Sequence, residues 1–134
     1  MAMTFYISLI TALCFLSVID TTMTGGWTRR ESDDPKIVEI AKYAVKEYNK
    51  QSNDIYAFTL SNVKAAESQV VAGANYKVTV EIGETDCRKN YSENEDTQAC
   101  NPNEPKGNKI LKCEFTIFDQ PWNNIRELTK SSCS

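Results

Sequence analysis

Gln69-Val70-Val71-Ala72-Gly73 lies between the polar run Lys64-Ala65-Ala66-Glu67-Ser68 and the alternating stretch Ala74-Asn75-Tyr76-Lys77-Val78-Thr79-Val80-Glu81-Ile82. In that stretch Tyr76, Val78, Val80 and Ile82 fall on one face and Asn75, Lys77, Thr79 and Glu81 on the other. This is the period-two signature of a strand with one face buried. The pentapeptide therefore reads as a bend between two strands, with Gly73 supplying the positive φ that tight hairpins call for. Valines at a bend are unusual, because loop tips are mostly polar. Taken alone, the stretch favours an ordinary hairpin corner whose valines fold back onto the core.

Upstream, Asp34-Pro35 is a helix start, with Asp34 as the cap and Pro35 at the first helical position, where a missing N–H costs nothing. Ile37, Ile40, Ala41, Ala44, Val45 and Tyr48 recur at helical spacing, and Lys36, Glu39, Lys42, Lys46 and Glu47 occupy the opposite face. The spacing predicts one amphipathic helix ending near Asn49 to Gln51. The segment before it, Thr28 to Asp33, is polar. Ser52-Asn53-Asp54 follows the helix as a polar corner, since these side chains bond back to nearby main-chain groups. Tyr56, Phe58 and Leu60 then open another alternation.

Downstream of Gly83 the composition shifts. Cys87 to Asn108 is rich in Asn, Glu, Pro and Lys without apolar periodicity, which reads as a surface loop. Asn90-Tyr91-Ser92 within it is an N-glycosylation sequon. Leu111, Cys113, Phe115 and Ile117 mark the next strand, and Ile125 to Cys133 the last. Between them Pro121 ends a strand and Asn123-Asn124 favours a turn, so Trp122 sits at a second hairpin tip. An amphipathic Trp there suits either the core or a partner.

With 134 residues and a net charge of −3, the chain is one domain with a leader attached and has no basic field for nucleic acid or an anionic membrane. It contains no histidine, which removes Ser–His and Cys–His catalysis and most zinc sites. With no C-x-x-C spacing either, no metal or cofactor is expected, and although carboxylate chemistry needs no histidine, no acidic pair stands out from solvated surface as catalytic. The apolar run from Phe5 to Ile19 suits a secretory leader and falls short of the ~20 residues of a membrane span. Residues 1–24 are read as a signal peptide, cut near Thr24, and 25–134 as the mature domain. Of five cysteines, Cys14 leaves with the leader, so Cys87, Cys100, Cys113 and Cys133 remain. Four cysteines in an oxidising compartment allow three pairings. The sequential one is preferred: Cys87–Cys100 would staple the polar excursion, and Cys113–Cys133 would tie a strand to the C-terminus.

The order of helix, long strand, Gln-Val-Val-Ala-Gly hairpin, strand, disulfide-bounded loop, strand, Pro-Trp hairpin and strand resembles the secreted, two-disulfide (type 2) cystatins. Gly25, Gln69-Val70-Val71-Ala72-Gly73 and Pro121-Trp122 match that family's three signatures in order, from about Gly25 to Cys133, and the preferred pairing is also the family's. The opening Gly-Gly-Trp is similar to salivary cystatins of blood-feeding arthropods. The resemblance implies an α+β fold, one α-helix wrapped by a four- to five-stranded antiparallel β-sheet. It also implies reversible, competitive inhibition of papain-like cysteine proteases, the cathepsin L, S, B and C class, by a monomer. The protease-binding residues would be Gly25, Gln69, Val70, Val71, Ala72, Gly73, Pro121 and Trp122. Ser52, Asn53 and Asp54 match a motif that some members use against legumain. The competing reading is a non-inhibitory secreted binding module on the same fold.

Overall fold

The computed structural model describes residues 26–90, 100–107 and 109–134. The expected leader over residues 1–24, Gly25 and the Tyr91-Ser92 part of the sequon therefore lie outside the described residues. Asn90 itself is exposed in a turn. Helix α1 spans Pro35–Gln51 and begins as its sequence dictates: the Asp34 side chain accepts a hydrogen bond from the Lys36 backbone N–H at 2.9 Å. It closes at Ser52, whose N–H donates to the Tyr48 carbonyl at 2.9 Å. Ile37, Ile40, Ala41, Ala44 and Val45 form its buried stripe. Each buried Ile or Val removes apolar surface worth ~1.5–3 kcal/mol.

Five antiparallel strands, β1 (Thr28–Arg30), β2 (Tyr56–Val71), β3 (Gly73–Arg88), β4 (Ile110–Gln120) and β5 (Ile125–Cys133), form one sheet in the order of the chain. Consecutive strands pairing as neighbours need only local connections. β2 carries register shifts between Tyr56/Phe58, Leu60/Asn62 and Val63/Ala65. Such bulges strengthen twist and bend a strand, which lets a long ribbon curl around α1. They also break the alternation expected at its start, where Phe58 is buried, Leu60 half-buried and Tyr56 exposed. The core is the helix stripe packed on Phe58, Ala66, Tyr76, Val78, Val80, Ile82, Cys113, Phe115 and Ile117. The Asn49 side chain clamps α1 to β2, donating to the Phe58 carbonyl and accepting from the Phe58 N–H, both at 2.9 Å.

The disulfides are Cys87–Cys100 and Cys113–Cys133, the sequential pairing. Cys113 and Cys133 are register partners across β4 and β5, so the second bond locks the C-terminal strand in place. Residues 101–107 are exposed, and the Lys106 and Gly107 N–H groups donate to the Glu84 carbonyl at 2.9 and 3.0 Å. The described part of the excursion is thus a surface segment folded back on β3.

Strand pairing reaches further than the sequence pattern suggests at two places. The polar Thr28–Arg30 is a strand: it pairs with Ser68, Glu67 and Ala66 of β2, and Arg30 reaches Ser68 Oγ at 3.3 Å and Asp34 at 2.9 Å. A polar edge strand held by pairing and side-chain bonds needs no alternating pattern. Second, the pentapeptide is mostly strand. Gln69 opposes Asn75, Val70 opposes Ala74, and Val71 opposes Gly73, so Ala72 alone forms the bend.

Candidate functional site

Ala72 stands at the apex of the β2–β3 hairpin. Gly73 has φ +115°, a conformation that side-chain-bearing residues rarely adopt, and a Cβ placed on it would lie 2.6 Å from the Asp119 carbonyl oxygen. The glycine therefore serves both the turn and the close approach of β4. The valines do not fold back onto the core: Val70 is 81% and Val71 42% exposed.

The second hairpin leaves β4 at Gln120 and passes through a single 3-10 turn, Pro121–Asn123. Pro121 presets the first position of that turn. Asn124, at φ 53°, closes it in the left-handed region that Asn tolerates. Trp122 points out, 67% exposed. The two tips are neighbours. Ala74 opposes Asp119 across β3 and β4, and Gln120 Nε2 donates to the Ala72 carbonyl at 2.9 Å. Val70, Val71, Ala72, Gly73, Pro121 and Trp122 thus share one rim of the sheet, with Gln69 one residue below. β1 adds an approach to it. Thr28 opposes Ser68 in antiparallel register, so Trp27 and Gly26 lead back along β2 toward Ala72. The Lys77 ammonium lies 4.7 Å from the Trp27 ring centroid and holds this segment to the sheet.

Beneath the second tip is a buried carboxylate. Asp119 is 3% exposed, accepts from Arg126 Nε at 3.0 Å and lies 3.4 Å from Lys36 Nζ. Glu39 touches both cations, at 3.3 Å from Lys36 and 3.6 Å from Arg126. The Arg126 guanidinium also lies 5.6 Å from the Tyr43 ring centroid, and the Tyr43 hydroxyl donates to the Arg126 carbonyl. Burial alone would raise the Asp119 pKa, but the Arg126 hydrogen bond and the Arg126 and Lys36 charges together hold it below the usual carboxylate value. The sequence does carry a sign of this group. The inward alternation Leu111, Cys113, Phe115, Ile117 continues to position 119, where a carboxylate replaces an apolar side chain.

Ser52-Asn53-Asp54 sits at the far end of β2 from Ala72. That strand has sixteen residues, which would span about 50 Å if fully extended. Lys89 Nζ donates to the Ser52 carbonyl and hydroxyl at 2.6 and 2.7 Å, and Lys109 Nζ pairs with Asp54 at 2.9 Å. Asp54 in turn raises the Lys109 pKa, chiefly through that hydrogen bond. Asn53 stands exposed between these two braced neighbours. Neither lysine is signalled by local pattern, since each acts on a loop distant in sequence. Among the described residues, Asp86, Cys87 and Cys100 are the one acid–cysteine group close enough for a metal, and its sulfurs are spent in the disulfide.

Residues 25–122 match the family described as the cystatin domain. The chain belongs to the cystatin family. It is 37% identical over 130 residues to Cystatin-1 of the snake Crotalus adamanteus, covering 92% of this chain and 94% of that one. Cystatin-2 of the same species is 34% identical over 126 residues, covering 94% and 90%. Among solved structures, the salivary cystatin of the soft tick Ornithodoros moubata superposes with a TM-score of 0.68 at 32% identity, covering 84% of this chain and 99% of that one. Dimeric human cystatin F superposes with a TM-score of 0.70 at 27% identity, covering 85% and 90%. Cystatin-family proteins are inhibitors of cysteine proteases and not enzymes, which places this chain in that functional class.

Proposed function

We propose that this cystatin is a secreted monomer, cut from its 1–24 leader, that reversibly and competitively blocks papain-like proteases of the cathepsin L, S, B and C class. The observation that carries the reading is the shared rim: Val70, Val71, Ala72 and Trp122 project side by side from two hairpins joined by the Gln120–Ala72 hydrogen bond. Such a wedge fits a groove and offers no scissile bond to its catalytic thiolate. Fully burying a Val- or Trp-sized group contributes ~1.5–3 kcal/mol or more, and preformed hairpins lower the ordering cost of binding. Gly25 would let the backbone approach the cleft closely, and a leader cut before Thr22 instead of after Thr24 would leave Met23 and Thr24 to fill apolar subsites. Titrating papain and cathepsin L with the refolded mature chain tests this. The Ki should be nanomolar or tighter, and Val71→Asp or Trp122→Ala should each weaken it by about thirtyfold or more. Micromolar inhibition by the unmodified chain would instead favour the non-inhibitory binding module.

A second site at the opposite end is supported by the exposure of Asn53 between the braced Ser52 and Asp54. In this reading Asn53 enters the specificity pocket of legumain. Asn53→Lys should abolish legumain inhibition and leave cathepsin L inhibition unchanged; loss of both would point to misfolding.

A further inference from the structure

We propose that Asp119 is a positioning residue for the protease-binding rim, setting the posture of the Trp122 tip relative to the Val70–Ala72 tip. This rests on the rim being the protease-binding surface. Asp119 is the last inward-facing residue of β4, two positions before Pro121. Its main chain abuts Gly73 of the first hairpin, while its side chain reaches Lys36 on α1 and Arg126 on β5. The root of the Trp122 hairpin is thereby tied to the helix, to the outgoing strand and to the neighbouring tip.

The choice of residues argues for posture over stability. Asp119 gives up its water to pair with the partly exposed Arg126 and Lys36, so the pairing gains little net stability over an apolar side chain of similar size. Leu or Ile would continue the inward alternation of β4 without that cost. Lys36 lies in the first turn of α1, where the helix dipole disfavours a cation, and Asp119 and Glu39 compensate it there. An apolar contact can slide, whereas a charge-assisted hydrogen bond fixes direction. Arg126 Nε, held over Tyr43, supplies that direction.

A double-mutant cycle on the mature chain tests the proposal, with Ki and dissociation rate measured against papain. Asp119→Asn should raise Ki about tenfold, mainly through faster dissociation. On a Trp122→Ala background the same change should alter Ki by less than about twofold, because the group it positions is gone. Lys36→Met removes one of the two ties at a half-exposed site and should shift Ki in the same direction by a smaller factor. Wild-type inhibition by Asp119→Asn, or an equal loss in both backgrounds, would overturn the proposal. If Trp122→Ala leaves Ki unchanged, the rim reading fails. The positioning role is then decided by the fluorescence anisotropy of Trp122 in Trp27→Phe protein: a fall on Asp119→Asn supports it, and no change refutes it.

Discussion

Gly73→Ala tests how the first hairpin is built. The substitution places a methyl on a residue at φ +115° and drives it to 2.6 Å from the Asp119 carbonyl oxygen. Strain at a sparsely populated φ/ψ costs about 1–3 kcal/mol, and crowding a packed site adds a similar amount. The obstructing atom is backbone, tied to both neighbouring strands, so it cannot rotate away. Ordinary contact at 3.4 Å requires the two hairpins to part by about 0.8 Å. With partial relaxation the loss of stability should be about 2–4 kcal/mol, or roughly 8–16 °C in Tm for a domain of this size. The same displacement separates Ala72 from Gln120 and should weaken papain inhibition about ten- to a hundredfold at 25 °C, where the variant remains folded. Urea denaturation and progress-curve inhibition measure the two effects. Gly26→Ala is the matched control, since a Cβ there meets nothing within 4 Å. A Gly73→Ala protein that melts within about 2 °C of wild type and inhibits equally well would refute both the strain and the contact.

Asn49→Ala removes both side-chain bonds to the Phe58 main chain and should cost about 2–4 kcal/mol by urea denaturation, with papain Ki unchanged once folded. Because the folded Asp119 pKa is depressed, its ionic contribution is complete above the unfolded value of ~3.9 and is lost as pH falls through the folded one. The stability difference between wild type and Asp119→Asn should therefore be constant from pH 7 to about 5 and shrink below about 4, as read by urea melts at each pH. Lys89→Ala releases Ser52 and should weaken legumain inhibition about tenfold while cathepsin L inhibition holds.

Local pattern determined the elements whose cause is local. The buried stripe of α1 and the cap at Asp34 were readable because neighbours at i+3 and i+4 share a face. The alternation of β3 was readable because successive side chains point to opposite faces of a sheet. The even set of cysteines beyond the apolar N-terminal run and the missing histidines were legible by counting. The resemblance of three short, separated signatures then named the family.

Tertiary structure decided what depends on register and distance. Thr28–Arg30 becomes a strand only because Ala66–Ser68 lies alongside it, and Ala72 alone is the bend because Val71 and Gly73 pair across it. The exposure of Val70, where the stretch alone favoured burial, and of Trp122, where core and partner were equally open, follows from where β2 and β4 end. Asp119 finds Lys36 on α1, and Tyr43 finds Arg126 83 residues away. Period and propensity reach only a few positions along the chain, whereas these couplings exist once the sheet has closed around the helix and brought distant charges within a few ångströms of one another.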